Sequence, residues 1–279
     1  MINLNKRKKR CIKDKMNQQI KNYAYVTLLS TDHYYEGVIV LFESLKRTQP
    51  KYQNFIVVIN EKISDSVKYK LIKKGYQLIE KESIDASNYV KNNNFQYWIN
   101  TFDKLNVFEL VEFEKIIYLD SDLYINKNID ELFELPNMSA VISGKGYVKE
   151  WEEMNSGVIV IEPKHGLTEK MIQILKNEKF DKNIGDQDII NRYFDWKNKN
   201  LAISEIYNMY YNFVDYYVKY LNYNLEDFKI IHFIGQQKPW MMSEDEIQSY
   251  RVSTMRDEKN SELYYFNKYI DILNEIRDK

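Results

Sequence analysis

The chain has 279 residues, 44% hydrophobic and 15% aromatic, enough apolar side chain for one large α/β core and too much for a disordered chain. Lys+Arg 40 against Asp+Glu 41 leaves a formal charge of -1, so charge speaks against a nucleic-acid partner. Cys11 is the single cysteine, which excludes an intramolecular disulfide and a cysteine-built zinc site and suits a reducing, cytoplasmic setting.

Residues 1–22 carry a basic cluster, Lys6 to Arg10 followed by Lys13 and Lys15. They read as a disordered tail. The sharper alternative is weak peripheral attachment to anionic lipid, each basic residue adding about 1 kcal/mol near the surface. No apolar run reaches the length of a membrane helix, and no charged-then-apolar signal peptide opens the chain.

From Tyr23 onward strand and helix patterns alternate. Residues 23–29 are β-branched and aromatic, and 35–46 place Val38, Leu41, Phe42 and Leu45 at helical spacing. A short apolar run at 55–59 predicts a buried strand. A helix over 64–74, with Ser64 as N-cap, stops at Gly75. Further strands are expected at 116–119, 140–142, 158–161 and 230–234, with helices at 168–176 and 261–276. This order predicts a mostly parallel sheet with helices on both faces, in one domain over 23–279 that ends in a helix at about 258–277.

The run Ile116-Ile117-Tyr118-Leu119 ends abruptly at Asp120-Ser121-Asp122. Apolar residues drive a strand into the sheet, and the aspartates arrive at its carboxyl end, where ligands of open α/β sheets bind. In an extended segment residues i and i+2 point to one side, so both carboxylates can converge on one cation. Without a cation they repel. A polar turn capping the strand is the plain alternative.

A second anchor is Ile230-Ile231-His232-Phe233-Ile234-Gly235-Gln236-Gln237-Lys238-Pro239-Trp240. His232 read alone is an ordinary core histidine. With Gly235 and Lys238 it offers imidazole, open backbone and an ammonium to a diphosphate. Two carboxylates plus one imidazole favour Mn²⁺, with Mg²⁺ as the second choice.

That segment resembles the His-Phe-x-Gly-x-x-Lys-Pro-Trp motif of glycosyltransferase family 8, the group of glycogenin and bacterial lipopolysaccharide galactosyltransferases. Other landmarks follow in order. Tyr25-Val26-Thr27-Leu28 through Asp32-His33-Tyr34 resembles the strand and turn that hold uracil and ribose. Phe102-Asp103-Lys104-Leu105 resembles the Lys-Leu element beside the donor. Asp120-Ser121-Asp122 is similar to the metal motif, Asn155-Ser156-Gly157 to the element facing the donor sugar, and Gly185-Asp186-Gln187-Asp188 to the pair near the anomeric carbon.

The resemblance implies a GT-A fold, with a Rossmann-like nucleotide-binding half at about 23–125 and an acceptor half at about 126–245. It implies a UDP-sugar donor, Mn²⁺ and retention of anomeric configuration. Leu28, Ser30, Thr31 and Tyr34 would contact the nucleoside, while Asp120, Asp122 and His232 would bind metal, with Ser121 between them. Gly235 and Lys238 would touch the diphosphate. Lys104, Asn155, Ser156, Asp186 and Gln187 would surround the transferred sugar, with Asp186, Gln187 and Lys104 as the catalytic group.

Glucose is preferred over galactose by nearness to glycogenin, and the acceptor is a glycan, a lipid-linked glycan or a protein. A homodimer is left open. Tyr216 and Tyr217 fall near the self-glucosylated position of glycogenin, though aromatic packing is the plainer reading. Phe95 and Trp98 are expected to shape selection, and Asp181 is a poor candidate for a second acid. A nucleotide-sugar binder and a nucleotidyltransferase are the competing functions. The latter would carry a Gly-rich loop after the first strand, and residues 30–35 hold none.

Overall fold

The structure is a computed structural model that describes residues 21–87, 93–178, 184–198 and 200–278. Residues 1–20 of the basic tail, with Cys11, lie outside the described residues, as do Asp181 and the side chains of Phe95 and Trp98.

Strand β1 (Tyr23–Leu29) is buried along its whole length, as a strand covered on both faces must be. Helix α1 (Tyr35–Arg47) follows and buries Val38, Ile39, Leu41, Phe42 and Leu45 against the sheet. Strand β2 (Phe55–Ile59) leads to helix α2 (Asp65–Lys73), where Ser64 Oγ accepts from Val67 N as the N-cap. Gly75, at φ +84, ends that helix in a conformation that costs glycine nothing. Strand β3 (Gln77–Glu80) then forms a half-exposed edge, which explains why its apolar pattern is faint in the sequence.

A run of 3-10 turns (Asn93–Glu109) precedes β4 (Lys115–Leu119). After β5 (Leu123–Ile125) and β6 (Ala140–Val141) comes β7 (Asn155–Ile161), so the Asn-Ser-Gly element is the start of a strand. Helices α3 (Leu167–Asn177) and α4 (Asp186–Phe194) follow, then β8 (Ala202–Ile203) and β9 (Met209–Tyr210). Helix α5 (Val214–Tyr220), β10 (Ile230–His232), α6 (Glu244–Arg256) and α7 (Asn260–Arg277) complete the order.

The large sheet runs β3-β2-β1-β4-β7-β6-β8. Strands β3, β2, β1 and β4 are parallel, β7 is antiparallel to β4 and β6, and β8 is parallel to β6. One core packs Val26, Leu28, Phe102, Phe108 and Tyr118 on one face. Tyr25, Leu29, Phe42, Leu119 and Phe133 fill the other. A third, aromatic core of Tyr124, Tyr217, Phe233, Trp240 and Tyr269 lies around the small sheet β5-β10-β9.

The order matters for function. β1 lies next to β4, and the chain winds outward from them in both directions, so their carboxyl ends border a switch-point crevice. Ser30 and Thr31 leave β1 there, and Asp120 leaves β4. Among the described residues, no helix is long and apolar enough to cross a membrane.

Candidate active site

The crevice is a cleft of about 1590 Å³, larger than the ~300–1,000 Å³ of a usual small-ligand pocket. Leu28, Ser30, Thr31 and Tyr34 line its β1 end. Lys104 enters from the 3-10 run, and Asp120, Ser121 and Asp122 from the β4–β5 turn. Asn155 and Ser156 begin β7, and Asp186 and Gln187 open α4. His232, Gly235 and Lys238 complete the lining, so every residue that the resemblance assigns to the donor or the metal borders one space.

The carboxylates converge by a different route from the one expected. Asp120-Ser121-Asp122 is a tight turn between β4 and β5, not an extended segment. Asp120 N donates to Gly157 O at 2.8 Å, and Phe233 N donates to Asp122 O at 3.0 Å. Those bonds pin the turn between β7 and the residue after β10. Pairing of β10 with β5 sets His232 opposite Leu123, one residue from Asp122. His232 Nε2 lies 3.1 Å from Asp122 Oδ1 and 4.0 Å from Asp120 Oδ2. One ligand atom from each of the three residues lies within 4.8 Å of the others. Two carboxylates and one imidazole at that spacing fit a divalent cation.

Two glycines make the convergence sterically possible. A Cβ on Gly157 would stand 2.6 Å from His232 Cε1, so the small residue leaves room for the imidazole. A Cβ on Gly37 would stand 2.7 Å from the Ser121 carbonyl oxygen, so the glycine lets α1 come close to the aspartate turn. Gly235 differs. Open space surrounds it, and its φ of +102 is what requires glycine.

The charges are paired tightly. Burial alone would push Asp122 up, but Lys238 and His232 beside it hold the carboxyl far below the usual range. Lys238 Nζ lies 2.5 Å from Asp122 Oδ2 and donates to Phe233 O at 2.8 Å. Burial would lower this ammonium, yet Asp122 raises it above its ordinary value. Lys104, buried, lies 3.0 Å from Asp120 Oδ1 and 2.7 Å from Asp186 Oδ2, and burial is again outweighed by the two carboxylates. Ser156 Oγ donates to the same Asp186 oxygen at 2.7 Å. Tyr118 OH donates to Asp120 Oδ1 at 2.8 Å.

The wall formed by the starts of β7 and α4 is built from amides. Asn155 Nδ2 donates to Gln187 Oε1 at 3.0 Å and to Tyr210 OH at 2.9 Å, while Ser156 N donates to Gln187 Oε1 at 3.2 Å. Next to it a chamber of about 370 Å³, lined by Trp151, Glu150, Glu152, Glu153 and Lys197, shares Asn155, Gln187 and Tyr210 with the cleft. Sequence reasoning missed Asn208, Tyr118 and Tyr210, which no motif marks. Trp240 was part of a motif without an assigned role, and its Nε1 donates to His33 O at 2.9 Å, tying that motif to the turn after β1. Tyr217 is buried and Tyr216 half-buried, and neither lines the cleft.

The profile of glycosyl transferase family 8 matches residues 25–244. The chain belongs to that family. Inositol phosphorylceramide glucuronosyltransferase 1 of Arabidopsis thaliana is 30% identical to this family 8 chain over 238 residues, covering 78% of it and 42% of the relative. Human glycogenin-2 is 28% identical, covering 79% of this chain and 44% of the relative. The family 8 chain thus spans less than half the length of these relatives. The galactosyltransferase LgtC, solved with donor and acceptor sugar analogues, superposes with a TM-score of 0.66 over 90% of this chain and 95% of that one at 16% identity. The shared architecture is the GT-A fold of glycosyltransferases.

Proposed function

We propose that this family 8 protein is a retaining, Mn²⁺-dependent hexosyltransferase that moves a hexose from a UDP-sugar to a glycan or lipid-linked glycan. The observation that carries the reading is the cation triad of Asp120, Asp122 and His232 sharing one cleft with Lys104, Asp186 and Gln187. Breaking the bond from sugar C1 to the diphosphate leaves negative charge on UDP and positive charge on the ring. The bound ion would supply Lewis-acid stabilisation of the departing diphosphate. Lys238, now paired with Asp122, would be available to the same charge if a cation took its place on that carboxylate. Tyr34, set edge-on to Trp240 with ring centres 5.4 Å apart, offers the nucleoside an aromatic face.

The Asp186 carboxylate shares one oxygen with Lys104 and Ser156. An anion so engaged is a weak nucleophile, which favours attack from the face of departure over a covalent adduct on Asp186. Among the described cleft residues Lys104 and Lys238 are the lysines, and both pair with aspartates. With Lys238 assigned to the diphosphate and Lys104 held by Asp120 and Asp186, that supports a neutral hexose over a hexuronate, and likeness to glycogenin puts glucose ahead of galactose. Trp151, 39% exposed in the side chamber, offers a sugar-stacking surface for a glycan acceptor.

The test is release of UDP from a panel of UDP-sugars with Mn²⁺, with Mg²⁺ and with EDTA. Mn²⁺-dependent release from UDP-glucose is the expected result. Pyrophosphate release from UTP would identify a nucleotidyltransferase, and tight UDP-sugar binding without turnover a binder. Either outcome ends the transferase reading.

A further inference from the structure

We infer that Asn208 is a positioning residue that holds a proton on His232 Nδ1 and so commits Nε2 to the metal, while the same amide sets the polarity of the donor-sugar side. The inference rests on the metal reading above and deepens it. Asn208 is wholly buried at the entrance to β9, and the parallel pairing of β9 with β10 sets Tyr210 opposite His232. No motif contains it.

The argument starts from backbone groups, because an N–H can only donate. Gly157 N lies 2.9 Å from the Asn155 side chain, so the atom it meets is the carbonyl oxygen Oδ1. Asn208 approaches that same oxygen at 2.7 Å and must therefore present Nδ2. Its own Oδ1 then faces His232 Nδ1 at 2.9 Å, and that nitrogen must carry a hydrogen. Amide and imidazole orientations are ordinarily assigned from networks rather than seen. Here one main-chain N–H propagates through two amides to decide the ring. The nitrogen that meets Asp120 and Asp122 is Nε2, and metal-bound histidines characteristically donate their other N–H to such a partner.

The other arm is decided in the same way. Ser156 N lies 3.2 Å from Gln187 Oε1, which Asn155 Nδ2 also meets at 3.0 Å. The carbonyl of Gln187 is thus engaged, and its NH₂ is the end left for a ligand. Gln187 would act as a hydrogen-bond donor to sugar or acceptor oxygen. Asn208, through Asn155, ties that orientation to the metal ligand.

The chain has three histidines, so their ring ¹⁵N signals can be assigned individually. In the wild-type protein His232 should show a directly bonded Nδ1–H, slow to exchange, both metal-free and with Zn²⁺ as a diamagnetic probe. Asn208→Leu should lose it and bind Mn²⁺ ~10–100-fold more weakly, the usual effect of removing a partner behind a metal-bound histidine. Asn208→Asp separates the two arms. Its carboxylate still accepts from Nδ1–H but sets an oxygen against Asn155 Oδ1, so Mn²⁺ binding should stay within a few-fold while kcat drops and KM for the UDP-sugar changes little.

Thermal melts verify that each variant folds, and the wild-type spectrum tests the assignment if one does not. A wild-type His232 protonated on Nε2 alone overturns this inference without touching the donor chemistry. So does an Asn208→Leu protein with unchanged spectrum and Mn²⁺ affinity, or an Asn208→Asp protein as defective in metal binding as Asn208→Leu. A wild-type chain that binds no Mn²⁺ sinks this inference and the transferase reading together.

Discussion

Asp122 and Lys238 are held to one another by charge, with Asp120 and His232 beside them, whereas Asn155, Gln187, Tyr210 and the strand start at Ser156 are held by directional hydrogen bonds between neutral groups. The difference tells what each region can give up. An ammonium and a metal ion would be alternatives for the same carboxylate, so on the proposed reading the charged group would exchange Lys238 for a cation. Amides cannot exchange partners without reversing donor and acceptor, so the neutral group keeps one shape and would meet a donor sugar already organised. Lys104 is where the two meet, since it touches Asp120 on one side and Asp186 and Ser156 on the other.

Breaking that junction should give the largest effect. Lys104→Met leaves the buried Asp186 carboxylate and the partly exposed Asp120 carboxylate against an apolar stem. The expected loss is about 3–5 kcal/mol of stability in urea unfolding, typical of removing one partner of a buried pair. Activity should fall by on the order of 10²–10³ in kcat for the lost preorganised charge. A variant that kept both stability and turnover would show that the two regions are independent.

Asp122→Asn tests the exchangeable side alone. It removes a cation ligand and the partner of Lys238, which retains its bond to the Phe233 carbonyl. UDP release should fall by about 100-fold, a loss of roughly 2.7 kcal/mol in transition-state stabilisation. Metal-free stability should change much less than in Lys104→Met. An equal loss of stability would mean that the charged group is as rigid as the neutral one.

Gly157→Ala is subtler, because it touches the imidazole from the neutral side. Its Cβ would meet His232 Cε1, and the ring must shift by several tenths of an ångström to accommodate it. Mn²⁺ affinity, measured by titration calorimetry, should drop about tenfold, or roughly 1.4 kcal/mol. Unchanged affinity would mean that the ring can move freely, against the restraint that Asn208 supplies.

These residues also mark the limit of what the sequence discloses. Ile116–Leu119 followed by aspartates, and His232 with Gly235 and Lys238, are legible because strand burial and ligand chemistry leave a local pattern. Asn208 is not, since one asparagine between Tyr207 and Met209 gains its meaning only when β9 pairs with β10. Gly157 and Gly37 look like unremarkable glycines until their neighbours arrive from far along the chain. The aspartate turn looks extended in the sequence because a strand precedes it, whereas the backbone turns to start β5. Helix α6 also leaves a local signal in the sequence. Ser243 and Glu246 form a capping box, a signal that outlasts the weak apolar pattern behind it.

The smallest expected effect concerns the tyrosines outside the cleft. Tyr217 is buried, donates to Glu205 and accepts from Gly146 N at 2.8 Å. Burial and the Glu205 carboxylate push its hydroxyl far above the ordinary tyrosine range, so it is neither exposed nor readily ionised. Tyr216 packs edge-on to Tyr147, with ring centres 4.8 Å apart. Both belong to the aromatic packing around α5. Tyr217→Phe should cost about 1 kcal/mol, the value of one buried hydrogen bond, and leave UDP release unchanged. Gly146 N keeps a partner in that variant, because Glu205 Oε2 lies 3.1 Å away. Incubation of the wild-type protein with UDP-glucose and Mn²⁺ should add no hexose to the peptide spanning 207–223, read by mass spectrometry. A hexose on Tyr216 or Tyr217 would require α5 to open, and would move the acceptor from the Trp151 chamber to the protein itself.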